Sequence, residues 1–437
     1  MEAFEKIPAS AGIFFYQNPI FVINQIQTKV NFKKSIGTAG NSGGKTRSDC
    51  QVTIEPTDSG GIVIDLISKV KVLYGTDIIR QIHEILDFYQ IINARVSVAD
   101  SGALSWVIAA RIEAAVRDLF DVKESWLLPL HANVIRPTSM DKRRFSRLYL
   151  PGNSPSLMIN AYLHKPDGLI LDLEDSVAPE KKPEARVLVR NALRSLDFGN
   201  TERMVRINQL PAGLEDLDWL IPHGVNLVLL PKCEQASQVE AVKARIDEIQ
   251  NQNNLSGNVW IMPIIESAKG VANAVQIAAA SKTVVALAIG LEDFTADLGV
   301  RRTQEGGESS YARSALVIAA KAAGIQAIDS VFSDVEDMEG LRDNVQRSRA
   351  MGFDGMGCIH PRQIPVIHEN FAPDAEEIEK AGKIVIAFKE AQAKGLGVVS
   401  LGSKMIDPPV VKRAQKTIDL AIELSLIEKN WYENLSI

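Results

Sequence analysis

The chain has 437 residues, and its 54 acidic and 48 basic side chains give it a formal net charge of −6. This length predicts two or three domains, and a content of 46% hydrophobic and 23% charged residues is typical of globular proteins. The mild acidic excess argues against a nucleic-acid partner. Three widely spaced cysteines form neither a disulfide framework nor a zinc-ligand pattern, which favours a cytoplasmic location.

Residues 1–33 form an N-terminal extension to which the sequence assigns no role. Their most apolar stretch, Gly12–Asn24, is interrupted by Gln17, Asn18 and Pro19. It has no basic segment before it and no small-residue cleavage site after it, so it does not resemble a signal peptide. It is also too short to cross a bilayer, and we therefore expect no membrane partner.

Residues 34–119 have the pattern of a small α+β domain. Alternating apolar and polar residues predict strands at Asp49–Glu55, Gly61–Leu66 and Arg95–Ala99. A helical apolar period predicts helices over Asp77–Phe88 and Ser105–Leu119. A linker is predicted at residues 120–143, where proline and polar residues interrupt both patterns.

Residues 144–437 repeat a short apolar run followed by a helical segment, with a helical extension at the C-terminal end. Eight buried strands alternating with helices over about 220 residues are the requirement of a (β/α)8 TIM-like barrel. A doubly wound open sheet is the competing α/β fold, but no Gly-x-Gly-x-x-Gly turn follows the first strand. The eight runs are Leu148–Leu150, Gly168–Asp172, Met204–Asn208, Leu227–Pro231, Trp260–Ile265, Val284–Ile289, Ala327–Phe332 and Gly355–Ile359.

Charged side chains follow five of these runs in succession. A single charged residue after a strand usually only begins a solvated loop, but in a barrel all strand ends converge on one face. Carboxylates without neighbouring His or Cys select Mg²⁺ or Mn²⁺ over zinc, and Glu266 and Asp293 on adjacent strands are the natural pair. Arg206 is suited to bidentate binding of a substrate carboxylate. The charged ends are Asp172, Glu174 and Asp175; Arg206; Lys232 and Glu234; Glu266; and Glu292 and Asp293.

Several longer motifs over residues 144–425 resemble the HpcH/HpaI aldolase and citrate lyase β family. They include Leu148–Asn153, Asp172–Pro179, Val205–Asn208, Leu230–Glu234, Ile265–Val271, Gly290–Phe294, Tyr311–Ser314, Ile359–Ile364 and Gly402–Val410. The resemblance implies a TIM-like barrel and a magnesium-dependent carbon–carbon lyase. It also implies a homo-oligomer, a trimer or a hexamer.

The resemblance implies a role for individual residues as well. Mg²⁺ would bind to Glu266 and Asp293, and the substrate to Arg206, Glu174, Asp172 and Arg144. Catalysis would involve Arg206, Asp175 and Asp407, the last as an acid/base in its own or a neighbouring subunit's site. From the residues alone, Asp407 before Pro408 is equally a helix cap. Phe145 replaces the second arginine of the family's Arg-Arg-Ser run, which removes any contact of that arginine with the thioester tail.

Residues 34–119 resemble the acyl-carrier γ subunit of citrate lyase. The similarity lies in Val98–Leu104, Ala109–Ala115 and the Ser48-Asp49 pair. It implies a covalent phosphopantetheine-like arm of the triphosphoribosyl-dephospho-CoA type, which makes the chain a phosphoprotein. Ser48 is the chosen attachment site and Ser42 the alternative. Gly37, Gly40, Gly43 and Gly44 predict a flexible loop here, and without the flanking similarity an ordinary glycine-rich surface loop is the simpler interpretation.

Together these features predict a lyase fused to its own carrier. A citryl-type thioester would be cleaved to oxaloacetate and an acetyl thioester, and a citrate lyase α-like acyl transferase would reload the arm. The alternatives are a citramalyl or malyl thioester lyase that uses CoA or the carrier, and a carrier and scaffold subunit without activity. Fusion would hold the thioester near the barrel at roughly millimolar effective concentration.

Overall fold

The computed structural model describes residues 33–131, 136–393, 399–401 and 404–432. Most of the predicted N-terminal extension, residues 1–32, lies outside this part. None of the helices in the described ranges is long and apolar enough to cross a membrane.

The N-terminal domain is a four-stranded sheet covered by two helices. Strands β1 (Gly37–Gly40), β2 (Cys50–Pro56), β3 (Ile62–Ser68) and β4 (Ala94–Asp100) lie in the order β1-β2-β4-β3. Helices α1 (Lys71–Phe88) and α2 (Ser105–Leu119) pack on it. The parallel β3–β4 pair is joined by α1, as parallel strands require a crossover connection.

The second domain is a closed barrel of eight parallel strands, which confirms the predicted fold class. Each predicted apolar run forms a strand because both of its faces are buried, one in the barrel interior and one under the helices. The strands are β5 (Ser146–Pro151), β6 (Gly168–Asp172), β7 (Glu202–Arg206), β8 (Leu227–Leu230), β9 (Trp260–Ile265), β10 (Ala286–Ile289), β11 (Gln326–Asp329) and β12 (Gly355–Cys358).

Helices surround the barrel, and two further helices extend it at the C-terminal end. The surrounding helices are α3 (Pro155–Met158), α4 (Lys182–Ser195), α5 (Ala212–Leu220), α6 (Ala236–Gln252), α7 (Ala268–Ala272), α8 (Ala274–Ala278), α9 (Leu291–Leu298), α10 (Ser310–Ala322), α11 (Met338–Met351) and α12 (Gln363–Phe371). The extension consists of α13 (Ala375–Ala393), the strand pair β13 (Val399–Leu401) and β14 (Lys404–Ile406), and α14 (Pro408–Glu423).

Helix α2 joins the two domains because it is buried on nearly all sides, from Trp106 to Val116 and at Leu119. Ile108 and Ile112 lie in the core of the N-terminal sheet, while Trp106, Val107 and Ala110 belong to the core between the barrel and its helices. Helix α4 of the barrel packs along this second face. The two domains therefore share a continuous apolar contact, and the N-terminal domain is docked on the barrel.

Candidate active site

A cavity of about 320 Å³ opens where the barrel strands end, the face on which TIM-barrel active sites lie. It extends from the strand ends into the barrel interior, and most of its charged groups lie at the ends of β6 and β7 or directly after β9 and β10. Its lining residues include Arg147, Tyr149, Pro151, Asp172, Ser176, Arg206, Ile264, Glu266, Ala288, Gly290, Glu292, Asp293, Asp329, Ser330 and Gly357.

Arg206 organises the acidic side of the cavity. Its Nε and NH2 donate to the two carboxylate oxygens of Asp172, both at 2.7 Å, and its NH1 lies 2.9 Å from Glu174 Oε2. Burial alone would raise the pKa of Asp172, but the hydrogen bonds from Arg206 hold it below its ordinary value. The Arg206 guanidinium also packs over the Tyr149 ring in a cation–π contact, with its Cζ atom 5.3 Å from the ring centroid.

Lys232 connects the remaining carboxylates. Its Nζ atom lies 3.5 Å from Glu174, 3.7 Å from Asp175 and 3.4 Å from Asp293. These three carboxylates raise the pKa of the ammonium although burial opposes them. The residue also adopts a left-handed backbone conformation, with φ of +47°, and its N–H donates to Glu266 Oε2 at 2.8 Å.

Glu266 is a deeply buried carboxyl group of the site. Only 6% of the residue is exposed. Burial, with a contribution from nearby Asp293, raises the pKa of Glu266 to about 8. Its Oε1 atom lies over Gly290, where an added Cβ would come within 2.4 Å of that oxygen. Glycine at position 290 therefore leaves the space that the Glu266 carboxylate occupies.

The donor set of Glu266 and Asp293 fits a magnesium ion. Across the described ranges, no group of three or more His, Cys, Asp or Glu side chains is arranged to hold a metal by itself. Mg²⁺ needs only one or two carboxylates, because waters and substrate oxygens complete its octahedron. Burial, with a smaller contribution from Asp293, raises the pKa of Glu266, and a divalent cation bound beside this carboxyl group would favour its ionised form.

The structure brings Asp172, Glu174, Asp175, Arg206, Glu266 and Asp293 to one mouth, as the sequence analysis expected of them. Asp175 is paired less closely with Arg206 than Asp172 and Glu174 are. Its side chain is 52% exposed, and its carboxylate lies 3.9 Å from Arg206 NH1. Sequence reasoning left out Lys232 and Asp329 as site residues. Both stand at strand ends, the position that identified the others.

Arg144 does not lie in this cavity, so the expectation that it binds substrate is wrong. It precedes β5 and is therefore at the opposite end of the barrel, fully buried. Its guanidinium forms two hydrogen bonds with Glu202 at the start of β7, at 2.7 and 2.9 Å. Phe145 lies at the same end and stacks on Phe371, with ring centroids 5.5 Å apart.

Asp407 caps helix α14 and is not among the residues that line the cavity of its own barrel. Its carboxylate accepts a hydrogen bond from the Val410 N–H at 3.2 Å. The cap interpretation of Asp407 therefore describes its role within one chain, and its role as an acid/base toward a neighbouring subunit stays a prediction.

The candidate attachment loop lies between β1 and β2. Ser48 is half-buried and has a left-handed φ of +54°, and its N–H donates to Ser101 O at 3.1 Å. Ser42 is exposed, and its hydroxyl donates to Gln51 Oε1 at 2.5 Å. The flexible loop is shorter than the glycines predicted, because Gly37 and Gly40 belong to β1. An added Cβ there would meet Ala115 O at 2.2 Å and Cys50 O at 1.9 Å, respectively.

A buried ion-pair network ties this loop to the mouth side of the barrel. Asp49, next to Ser48, receives two hydrogen bonds from Arg111 at 2.9 and 3.0 Å. Arg111 NH2 also donates to Asn153 O at 3.2 Å, two residues beyond cavity-lining Pro151. Glu184, in the first turn of α4, accepts from the Gly40 N–H at 2.8 Å. The Ser48 loop therefore faces the same end of the barrel as the cavity.

The segment between the domains is also held in place where it is described. Arg194 of α4 donates to Leu128 O through its Nε at 2.7 Å. Arg117 of α2 donates to the carbonyl oxygens of Val122 and Glu124, both at 2.6 Å. These contacts and the α2–α4 packing fix one orientation of the N-terminal domain on the barrel.

A TIM-type barrel with paired carboxylates, a clamped arginine and a lysine at its mouth defines a metal-dependent barrel enzyme. Comparison with known proteins makes this class specific. The family model for HpcH/HpaI aldolase/citrate lyase matches residues 146–361, and the acyl-carrier model described as malonate decarboxylase delta subunit (MdcD) matches residues 38–119. The chain belongs to the HpcH/HpaI aldolase/citrate lyase family and has an acyl-carrier family domain at its N-terminal side. Both resemblances found in the sequence are thereby confirmed at the level of the family.

Three relatives illustrate the range of the family. Citrate lyase subunit beta of Leuconostoc mesenteroides subsp. cremoris is 38% identical over 291 residues, which cover 66% of this chain and 96% of that protein. Human mitochondrial citramalyl-CoA lyase is 35% identical over 289 residues, or 63% of this chain and 85% of that protein. The crystal structure of CitE from Mycobacterium tuberculosis in complex with magnesium, acetoacetate and coenzyme A superposes with a TM-score of 0.55 at 31% identity. That match covers 64% of this chain and 98% of the other.

Proposed function

We propose that this chain is a magnesium-dependent carbon–carbon lyase that cleaves a citryl-type thioester carried on its own N-terminal domain. The products are oxaloacetate and an acetyl thioester. The observation that carries the proposal is the joint presence of two elements in one chain: the Glu266–Asp293 carboxylate pair in the barrel mouth, and an acyl-carrier domain whose Ser48 loop faces the same mouth.

The residues of the mouth have distinct tasks in this reaction. Glu266 and Asp293 hold Mg²⁺, which when bound lowers the pKa of the substrate hydroxyl and stabilises negative charge on oxygen. Arg206 uses three of its N–H groups for Asp172 and Glu174 and, because a guanidinium has five, keeps two for a substrate carboxylate. Asp172 and Glu174 thus fix the plane in which that carboxylate is bound.

Cleavage is a retro-aldol step. The substrate hydroxyl loses its proton, the bond to the thioester α-carbon breaks, and the bonding electrons remain on that carbon as an enolate. Asp175 accepts the hydroxyl proton, a role supported by its half-exposed carboxylate at the rim of the cavity. Asp407 from a second copy of the chain protonates the enolate, a transfer typically worth about 10²–10⁴-fold in rate. This role requires a homo-oligomer, a trimer or a hexamer.

The carrier delivers its thioester to its own barrel. The docked N-terminal domain, with Asp49, Arg111 and Asn153 in one hydrogen-bonded line, supports this arrangement. The arm is a triphosphoribosyl-dephospho-CoA-type group on Ser48, with Ser42 as the alternative, and a citrate lyase α-like acyl transferase in the cytoplasm exchanges its acetyl group for a citryl group. A citramalyl or malyl thioester lyase is the second candidate, favoured by the 35% identity to human citramalyl-CoA lyase.

One experiment tests both halves of the proposal. Native full-length protein is analysed by intact and peptide mass spectrometry, then loaded with citryl thioester and assayed with Mg²⁺ for oxaloacetate release by a coupled NADH assay. We expect a mass increment on the peptide with Ser48, release of oxaloacetate, and loss of release in Glu266→Gln. Glu234→Gln, which removes a carboxylate outside the cavity that pairs with Lys269, is the matched control. Absence of the increment contradicts the carrier role, and absence of oxaloacetate contradicts the lyase.

A further inference from the structure

Arg147 is a buried arginine that lines the cavity and has no carboxylate partner. The residue is 1% exposed. Among the described residues, its Nε has no hydrogen-bond partner, and its NH1 donates to the Met262 sulfur at 2.9 Å. None of the salt bridges found in the described part of the chain includes it. Buried charges in proteins are normally paired, and the other fully buried arginines, Arg111, Arg144 and Arg190, each bind a carboxylate.

The position of Arg147 places it at the floor of the cavity. Residues 147, 149 and 151 alternate along β5 with a period of two, and all three line the cavity. Successive inward-facing residues of a strand are about 7 Å apart, so Arg147 lies one layer below Tyr149, whose ring contacts Arg206. The neighbours at this depth are apolar or small: Met262 on β9 and Gly357 on β12, with an ideal Gly357 Cβ 3.8 Å from Arg147 NH2.

The floor therefore has the opposite charge to the mouth. The carboxylates of Asp172, Glu174, Glu266 and Asp293 cluster at the strand ends, and Tyr149 lies between them and Arg147. An apolar shaft that ends in one cation without a counterion is complementary to a ligand with an anionic group at its far end. Such a ligand supplies the partner that the protein does not.

We propose that Arg147 binds a second carboxylate of the substrate at the floor of the cavity, and so selects a keto acid fragment with two carboxylates. This inference rests on the proposed function. Retro-aldol cleavage of a citryl thioester yields oxaloacetate, with one carboxylate next to the carbonyl and another on its methylene group. A citramalyl thioester yields pyruvate, which has a methyl group at that place. Arg147 is thus the residue that separates the two candidate substrates.

Removing the Arg147 charge should affect protein stability and ligand affinity differently. Replacing an unpaired buried cation by an apolar side chain of similar size is neutral or stabilising, and methionine fits beside Met262. Loss of a charge-assisted hydrogen bond to a ligand, in contrast, lowers affinity by about 10- to 150-fold. Arg147→Met should therefore raise or maintain the melting temperature while it weakens binding of the dicarboxylate alone.

The test measures binding of oxaloacetate and pyruvate to the full-length chain at saturating Mg²⁺ by calorimetry. We expect the wild-type chain to prefer oxaloacetate, Arg147→Met to lose that preference with pyruvate binding unchanged within about twofold, and Arg147→Lys to restore part of it. Arg203→Met, which removes a buried arginine outside the cavity, is the control and should leave both ligands unaffected.

The outcomes separate the two proposals. If the wild-type chain binds pyruvate as tightly as oxaloacetate, or if Arg147→Met weakens both ligands equally and lowers the melting temperature, Arg147 has a structural role and the inference is overturned. If neither keto acid binds to the wild-type chain, the proposed lyase function fails and this inference fails with it.

Discussion

Glu113 of the N-terminal domain and Arg190 of the barrel form a two-point ion pair, with nitrogen–oxygen distances of 2.7 and 2.9 Å. Both side chains are 1% exposed. The pair lies between α2 and α4, inside the apolar contact that joins the domains, so it links the carrier to the lyase without access to solvent.

Removing one member of this pair should destabilise the chain strongly. Glu113→Ala leaves the Arg190 charge buried without its partner, a change that costs about 3–5 kcal/mol in comparable sites. The double variant Glu113→Leu with Arg190→Met should regain most of that loss, because two apolar side chains replace the pair. Chemical denaturation of the full chain measures both.

The exposed pair of Asp218 and Arg245 is the control for this measurement. Its side chains are 37% and 31% exposed, so Asp218→Asn should change the unfolding free energy by less than about 1 kcal/mol. An equal effect of Glu113→Ala and Asp218→Asn would mean that the N-terminal domain leaves the barrel in solution.

The variant Gly290→Ala tests whether the position of the Glu266 carboxylate is needed for magnesium binding. The added Cβ would come within 2.4 Å of Glu266 Oε1, so the carboxylate must move away from its position over the cavity. We expect magnesium affinity to fall by about 10- to 100-fold, as for other changes that misorient a ligand. Gly307→Ala is the matched control, since nothing lies within 4 Å of its added Cβ. Isothermal calorimetry with Mg²⁺ compares the two, and unchanged affinity in Gly290→Ala would remove Glu266 from the ligand set.

His223 should make the protein less stable in mild acid. Burial, with the nearby charges of Arg194 and Arg190, lowers the pKa of His223 to about 3, and its Nδ1 lies 3.0 Å from Arg194 NH1. Because the unfolded chain binds the proton near pH 6.5, stability is full above that pH and is lost progressively as the pH falls toward 3. Between pH 7.5 and 5.0 the loss is about 2 kcal/mol.

The variant His223→Asn isolates this contribution. Asparagine keeps a neutral acceptor for Arg194 and does not titrate, so its unfolding free energy should decline less between pH 7.5 and 5.0 than that of the wild-type chain. His164→Asn changes an exposed histidine and should follow the wild type. Parallel pH curves for the wild type and His223→Asn would contradict the predicted role of burial.

Much of the barrel could be predicted from the sequence because its strands are buried on both faces. Runs such as Gly168–Asp172 are then continuous and apolar, and the polar residues that follow them mark the mouth. The mouth carboxylates were found by this pattern. The role of the N-terminal glycines was harder to predict, because the sequence does not distinguish a glycine in a flexible turn from a glycine packed against a neighbouring backbone. Gly37 and Gly40 are packed against backbone atoms.

The locations of the two arginines at the start of the barrel could not be predicted from the apolar strand pattern. Arg144 and Arg147 are three residues apart, and neither sequence spacing nor composition reveals that one pairs with Glu202 below the barrel while the other points into the cavity. That difference depends on the register of β5 between β6 and β12, which is set by packing of the closed barrel rather than by local sequence.

Lys232 should compete with the magnesium ion. Its ammonium lies 3.4 Å from Asp293, so a divalent cation bound to that carboxylate is repelled across a solvent-accessible gap. With charges of +1 and +2 about 4 Å apart, the repulsion is about 2 kcal/mol in a water-like dielectric and larger in a less polar one. Lys232→Met should therefore bind Mg²⁺ more tightly, by about tenfold, while its backbone N–H still holds Glu266.

Lys269→Met is the control for this prediction. It removes a lysine that pairs with Glu234 outside the cavity and should leave the affinity for Mg²⁺ unchanged. Weaker Mg²⁺ binding in Lys232→Met, measured by calorimetry, would contradict the prediction and mean that this lysine orders the carboxylates more than it competes for them.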